Sequence, residues 1–244
     1  MNPTYSIASR VRSTEVDHRF CLRPDHIAAY LQNITDLHAT EMGLDGPTMM
    51  KESNAFWILS KMKMKIHQMP VFGDQLTLKT WPHATKGVRF LRDYTIHKDG
   101  LLMAACTSEW CVLDASDQKL RKADSICYPH DMIHCEEQSG AGAFLRTKET
   151  VTEEEHHHTY RSSFVDIDTN QHTNNIAYLR MALNCFTPDE YEQLAIDELQ
   201  INFLSQTFCG DTLEIYKKKI DTGYFITGKL GDQAVFTCTI LLKA

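Results

Sequence analysis

The sequence predicts an α+β fold in which one structural unit occurs twice along the chain. Two observations support this prediction: a helical pattern precedes several long alternating strands, and the same order of patterns returns in the second half. A Gly-Asp turn aligns the two halves at Gly73 and Gly210. The apolar positions of the strands before these turns then coincide, Met62, Met64 and Ile66 with Leu199, Ile201 and Phe203.

Each unit is predicted to begin with a helix. Apolar residues recur at helical spacing in both halves, at Ile27, Tyr30, Leu31 and Ile34 and again at Ile176, Leu179 and Leu183. Pro24 suits the first turn of the first helix, because it lacks an N–H that would have no partner there. Asn174 is placed to cap the second helix.

Strands are predicted to follow each helix. The first strand of each unit ends at the Gly-Asp turn, where Gly73 and Gly210 suit a backbone conformation with positive φ. A long hairpin comes next in each half. Its strands are residues 89–97 and 101–113 in the first half, and residues 224–230 and 234–242 in the second.

The repeat predicts a domain organisation with three parts. The first unit is expected at residues 1–130 and the second at residues 159–244. Between them, residues 131–158 are expected to form a connector, because this segment contains a Ser-Gly-Ala-Gly stretch and a polar, acidic run.

Composition restricts the class of function. The 244 residues are 43% hydrophobic and 23% charged, which is ordinary for a globular enzyme. The net charge of −7 argues against nucleic acid as a partner. No apolar run has the length of a membrane helix, and the first twenty residues lack the centre of a signal peptide. We therefore expect a cytoplasmic location. The eight cysteines fit this compartment, because they show no CxxC metal spacing and cytosolic thiols stay reduced. No cofactor is expected.

The two halves differ most in the segment just before the helix. Residues 165–175 carry a polar series that includes Asp168, Asn170 and His172, whereas the corresponding residues 16–23 lack it. One interpretation is that only the second unit contains a reaction centre. The other is that these side chains form turns and caps, as Asp and Asn often do.

Three sequence blocks resemble a known family. Residues 168–175 resemble the D-x-N-x-H-x-N-N motif of the acyl-acyl-carrier-protein (acyl-ACP) thioesterases, a plant and bacterial family of double-hotdog enzymes. Residues 87–94 resemble its G-x-R-R-D-[WY] stretch, and residues 108–114 with 119–122 resemble its S-x-W strand and following basic segment. The resemblance implies two tandem hotdog units, each a long helix packed against a curved antiparallel sheet. It places the acyl-chain pocket in the first unit and the catalytic motif in the second.

The resemblance also implies a set of catalytic residues. Asp168, Asn170 and His172 are expected at the reaction centre. Our hypothesis for their roles is that His172 is the general base, Asp168 orients it or shares that role, and Asn170 donates to the thioester carbonyl. An exchange of the roles of Asp168 and His172 agrees with the sequence as well. A strand carboxylate is expected four residues before the Gly-Asp turn, but this position is Gln206. A neutral amide cannot act as nucleophile or base, although it can hold a water or the carbonyl. Thr207 occupies a place where some members of the family have Cys.

The substrate-binding residues are expected in the first unit and at the start of the second helix. Trp57, Met49, Met62 and Met64 are predicted to line the acyl-chain slot, since methionine adapts to a flexible chain. For each of them, filling the core is an equal alternative. Asn174 is predicted to contact the substrate from the second unit.

The predicted function is hydrolysis of fatty acyl-ACP to free fatty acid and carrier, by water attack on the thioester. The alternatives are an acyl-CoA thioesterase, a dehydratase and a non-catalytic acyl-binding protein. Acyl carrier protein is the predicted partner, docked on one of three basic clusters at residues 61–65, 119–122 and 217–219. No membrane partner is expected, and both a monomer and a homodimer agree with the sequence.

A run of three histidines at residues 156–158 is predicted to be an exposed loop. Consecutive side chains on a regular element cannot all face one ion, so we predict no metal site.

Overall fold

The computed structural model describes residues 2–129 and 134–243. It contains two compact units, one formed by Met1–Met62 with His67–Gly142 and the other by Lys63–Ile66 with Ala143–Ala244. The limits of the connector at residues 131–158 stay a prediction. In the described ranges, no helix is long and apolar enough to cross a membrane.

The first unit combines two helices with an antiparallel sheet. Its elements are β1 (Tyr5–Arg10), α1 (Pro24–Glu41), α2 (Gly46–Ser53), β2 (Ala55–Ile66), β3 (Gln75–Pro82), β4 (Phe90–Lys98), β5 (Leu101–Asp114) and β6 (Leu120–Arg121). The strand order is β1-β3-β4-β5-β2, with β6 beside β5. α1 packs on β1 and β3 through its buried apolar face. The last four residues of β2 belong to the second unit.

The second unit repeats this order in a shorter form. Its elements are β7 (His156–Arg161), α3 (Asn175–Leu183), α4 (Pro188–Glu192), β8 (Ile196–Phe203), β9 (Thr212–Ile220), β10 (Gly223–Leu230) and β11 (Gln233–Leu242). The strand order is β8-β11-β10-β9-β7, and each of these pairings is antiparallel. α3 packs on β10 and β11. The predicted helices and hairpins are present in both units.

The Gly-Asp turns have the same construction in both units. Gly73 and Gly210 have φ values of +87° and +95°, as the sequence predicts. In the first turn the Asp74 carboxylate accepts from the Val71 amide at 3.0 Å, and in the second the Asp211 carboxylate accepts from the Phe208 amide at 2.8 Å. The repeat is therefore a repeat of local hydrogen bonding as well as of apolar pattern.

Two expectations about charged segments are wrong. The three histidines are not in a loop, because His156–Arg161 pair with β9 as a strand. Lys63 is not a surface residue of a docking cluster, because it is 3% exposed. Its ammonium lies 3.0 Å from the Glu198 carboxylate and donates to the Ala143 carbonyl oxygen at 2.8 Å. A buried lysine is tolerated when it is paired in this way.

Candidate active site

The motif residues form a short loop that ends at α3. A bridge between Ile167 and Thr173 closes the loop. The Asp168 carboxylate accepts from the amides of Asn170 at 2.8 Å and His172 at 3.2 Å. Asp168 thus holds the loop by bonding its backbone, which is the turn-forming role of an aspartate. The expected orientation of the His172 ring by Asp168 stays a proposal.

A buried carboxylate anchors the start of this loop. Asp166 is 4% exposed, and the Tyr160 hydroxyl, which lies 3.0 Å from both of its oxygens, donates to the carboxylate. The Ser163 amide donates to it at 2.9 Å. The Asn174 amide donates to the Asp166 carbonyl at 2.7 Å, so both ends of the loop meet at Asp166. Such a fully bonded buried carboxylate gives the loop a rigid base.

A second loop, which follows β8, is tied to the motif loop by three buried side chains. The Thr173 amide donates to the Thr207 carbonyl oxygen at 2.8 Å, and the two threonine hydroxyls bond at 2.8 Å. The Tyr178 hydroxyl bonds the Thr207 hydroxyl at 2.8 Å and accepts from the Thr207 amide at 3.1 Å. Burial raises the pKa of Tyr178, which keeps its hydroxyl protonated. Sequence reasoning gave no role to Tyr178, because its partners are distant in sequence.

His172 and Gln206 each precede one of these buried threonines. Burial alternates along the second loop, where Thr207 is buried and Gln206 and Phe208 are exposed. Neighbours of an inward side chain in extended backbone point outward. The His172 ring lies edge-on to the Phe208 ring, with centroids 5.1 Å apart. His172 and Gln206 thus lie on two adjoining loops, on the side that faces away from the buried threonines. Gln206 is in a loop and not on a strand, because β8 ends at Phe203.

The two predicted asparagines have different surroundings. Asn170 is exposed in the middle of the motif loop. Asn174 caps α3, because its side-chain oxygen accepts from the Ile176 amide at 2.8 Å. The capping prediction is confirmed, and substrate contact by Asn174 stays a proposal.

The first unit has an equivalent loop with different side chains. The Asp17 carboxylate accepts from the amides of Arg19 at 2.9 Å and Cys21 at 3.0 Å. Arg19 and Cys21 therefore stand where the second unit has Asn170 and His172. The Arg19 guanidinium lies 3.0 Å from the Asp17 carboxylate and forms an ion pair with it. The polar difference seen in the sequence is thus a difference between two equivalent loops.

The two family-like segments of the first unit, residues 87–94 and 108–114, contribute to a buried hydrogen-bond network. The Tyr94 hydroxyl bonds Ser108 and Thr35, each at 2.8 Å. The Trp110 indole N–H donates to the Ser108 hydroxyl at 2.8 Å. Tyr94 and Ser108 are fully buried, so this network stabilises the core of the first unit.

A buried arginine lies next to this network. One Arg92 nitrogen is 3.0 Å from His38 Nδ1 and 3.2 Å from the Thr80 hydroxyl. Burial, assisted by the Arg92 charge, lowers the pKa of His38 to about 4. His38 is therefore neutral in the folded protein, and its Nδ1 accepts from Arg92.

Two of the four predicted acyl-slot residues pack in one cluster of the first unit. Met49 is buried in it, and Trp57 packs against it with its ring 5.0 Å from that of Phe90. The Trp57 indole donates to the Leu44 carbonyl oxygen at 2.7 Å. The other two, Met62 and Met64, are buried on β2 and are not among the described residues of this cluster.

Comparison with known proteins identifies the family. The acyl-ACP thioesterase N-terminal domain matches residues 3–129, and the acyl-ACP thioesterase C-terminal domain matches residues 149–239. The chain belongs to the acyl-ACP thioesterase family. Oleoyl-acyl carrier protein thioesterase 1 of Arabidopsis thaliana is 25% identical over 71% of this chain and 52% of its own length. The enzyme of Coriandrum sativum is 23% identical over 91% of this chain and 64% of its own length. The chain thus spans about half to two thirds of these two relatives.

Solved structures show the same fold. An acyl-ACP thioesterase from Bacteroides thetaiotaomicron superposes with a TM-score of 0.84 at 19% identity, covering 99% of this chain and 98% of that chain. The 12:0-ACP thioesterase of Umbellularia californica superposes with a TM-score of 0.87 at 14% identity, covering 100% and 98%. The fold is therefore the tandem hotdog fold of this family, as the sequence predicts.

Proposed function

We propose that this family member is a thioesterase that hydrolyses fatty acyl-ACP to free fatty acid and carrier protein. The observation that carries the proposal is the contrast between two equivalent loops. The second unit presents Asn170 and His172, whereas the first has Arg19 and Cys21 in their places. Family membership over both units supports the same reaction.

The proposed mechanism assigns the proton transfers to His172. The imidazole takes a proton from a water molecule as the water oxygen attacks the thioester carbonyl carbon. Asn170 donates to the carbonyl oxygen as negative charge develops there. The tetrahedral intermediate then collapses, the C–S bond breaks, and the imidazolium returns the proton to the leaving thiolate. Asp168 holds the loop through the hydrogen bonds that its carboxylate accepts from two backbone amides. The alternative assignment is that Asp168 shares the role of base with His172.

Gln206 is proposed to position the attacking water. Its amide supplies both a donor and an acceptor, so it can hold a water without taking a proton. Replacing Gln206 by Glu would add a second base on the outer side of the same loops. We expect Gln206→Glu to retain activity and to change its pH profile, because a carboxylate titrates and an amide does not.

Exposed apolar side chains close in sequence to the two loops support a lipid substrate. Phe164 and Val165 precede the motif loop and are 87% and 78% exposed. Leu204 and Phe208 belong to the second loop and are 54% and 52% exposed. Large exposed apolar side chains that lie in one region commonly mark a binding surface.

We propose further that the first unit sets the chain-length preference through Met49 and Trp57. Met49→Ala would remove buried volume and shift the preference toward longer acyl chains. Met50→Ala is the matched control, since Met50 follows on the same helix and is 46% exposed. If Met49 only fills the core, Met49→Ala would lower stability by about 2–5 kcal/mol and leave the preferred chain length unchanged.

The reaction is tested with acyl carrier protein loaded with saturated chains from about eight to eighteen carbons, with coenzyme A thioesters of the same chains in parallel. We expect release of free fatty acid with a higher kcat/KM for the carrier thioesters. A higher kcat/KM for coenzyme A thioesters would instead assign an acyl-CoA thioesterase. Inertness of both substrate sets, together with tight binding of an acyl chain, would refute hydrolysis.

The cysteines support a reducing compartment. All eight lie among the described residues as free thiols. We propose a cytoplasmic location, since free thiols persist where glutathione keeps them reduced. Cell fractionation tests this proposal.

A further inference from the structure

Three potential metal ligands meet at the edge of the second unit. They are His157 and His158 on β7 and Cys185, which follows α3. One donor atom from each lies within 4.8 Å of the other two. This cluster plays no part in the proposed thioesterase reaction.

A β-bulge explains how two consecutive histidines face the same way. In a regular strand their side chains would point to opposite faces. The pairing of β7 with β9 shifts register between His156, which faces Tyr216, and His158, which faces Ile215. His157 is the extra residue, and a bulge re-aims such a side chain. As a result, the Nδ1 atoms of His157 and His158 are 2.8 Å apart.

We propose that His157, His158 and Cys185 bind a divalent transition-metal ion of the Zn²⁺ class. Two imidazole nitrogens and one thiolate are a donor set that such ions prefer. Bonds of about 2.0–2.3 Å in tetrahedral geometry require donor atoms roughly 3.3–3.8 Å apart. Binding therefore requires side-chain rotation that brings the donor atoms, now within 4.8 Å of one another, to this range, with a water molecule in the fourth position.

Metal binding requires neutral imidazoles and a deprotonated thiol. Desolvation lowers the pKa of both His157 and His158, which favours the neutral imidazoles that metals bind. Burial raises the pKa of the Cys185 thiol to about 12, so without metal the thiol keeps its proton. Metal binding forms the metal–sulfur bond and releases that proton to solvent.

The charges near the cluster partly cancel. The Lys217 ammonium donates to the Cys185 carbonyl oxygen at 2.6 Å and opposes a cation. Glu190 lies 3.3 Å from the same ammonium and offsets its charge. Glu190 also raises the pKa of His157, although the lowering effect of desolvation is larger. The bound ion would join β7 to the C-terminal end of α3, the helix whose other end carries the motif loop.

Cobalt provides a direct spectroscopic test on the full chain. After chelator treatment, titration with Co²⁺ should give one equivalent of binding, with a sulfur-to-cobalt charge-transfer band in the near ultraviolet and visible bands typical of tetrahedral cobalt. Cys185→Ser should abolish the charge-transfer band, while Cys209→Ser, at an exposed thiol, should keep it. His157→Gln should weaken Co²⁺ and Zn²⁺ binding at least about tenfold, because loss of even an outer-shell partner of a ligand costs about 10–100-fold in metal affinity.

Thermal unfolding supplies a second readout. Zn²⁺ in excess should raise the Tm of the wild type by about 5 °C, because only the folded chain assembles the three ligands. His156→Gln is the matched control on the same strand and should keep this shift, whereas in His157→Gln the shift should fall to about half or less. Since His157 is exposed, this variant folds even if Cys185→Ser does not. A charge-transfer band that survives in folded Cys185→Ser, or an equal Tm shift in His157→Gln, overturns the proposal.

Discussion

The neutral, buried His38 predicts that the protein loses stability in weak acid. Its pKa is about 4 in the folded chain and about 6.5 in an unfolded one. Above pH 6.5 both states hold a neutral imidazole, so the full stability is present. As pH falls through 6.5 towards 4, the unfolded state takes up a proton that the folded state does not. The free energy of unfolding therefore decreases across this window and has no further His38 contribution below it.

The size of this loss of stability follows from the difference between the His38 pKa in the folded and unfolded states. One pKa unit corresponds to about 1.36 kcal/mol, so the full shift would amount to roughly 3 kcal/mol. Between pH 7 and pH 5 the loss is about 2 kcal/mol, because the folded imidazole is still mostly neutral at pH 5. His38 is 2% exposed, so solvent screening reduces this value little. A loss of 2 kcal/mol is large against a total stability of about 5–15 kcal/mol.

Urea unfolding at pH 7, 6 and 5 measures this loss. Wild type, His38→Gln and His18→Gln would be compared, because His18 is an exposed histidine in the same unit. Gln at position 38 can still accept from Arg92 through its amide oxygen, and it does not titrate. We expect the pH-dependent loss to shrink by about 2 kcal/mol in His38→Gln and to persist in His18→Gln. An equal loss in all three proteins would show that His38 does not cause it.

Two further predictions concern the cores of the units. Gly223→Ala should lower the free energy of unfolding by about 3 kcal/mol or more, because an added Cβ would lie 1.9 Å from the Ile240 carbonyl oxygen. Gly231→Ala, where a Cβ meets nothing within 4 Å, should cost only about 1 kcal/mol by urea unfolding; equal costs would contradict the steric argument. Tyr94→Phe should cost about 1–3 kcal/mol, because the buried Ser108 hydroxyl loses a partner; an unchanged urea midpoint would contradict this.

The parts of the fold that were predictable from sequence are set by local rules. Strand alternation has a period of two and helices a period of 3.6, so the repeat and both hairpins could be read directly. Gly73 and Gly210 revealed the turns, because positive φ is costly for other residues. The aspartate-centred loop at residues 168–172 is equally local, which is why its short motif located the candidate site.

The features that sequence reasoning missed depend on contacts between distant residues. Tyr178 bonds Thr207, which is 29 positions away. Lys63 tolerates burial because Glu198, which is distant in sequence, pairs with it. The histidines of β7 converge because pairing with β9 inserts a bulge, and no pattern within residues 156–158 indicates this. Such partners are fixed only when the sheet has formed.

We propose that the loop of the second unit performs the reaction and that the equivalent loop of the first does not. Hydrolysis of acyl-ACP by paired variants distinguishes the two loops. His172→Ala should reduce kcat by about a hundredfold or more, the usual contribution of a general base, while Cys21→Ala at the matching position should leave kcat unchanged. Equal kcat values in these two folded variants would contradict the claim.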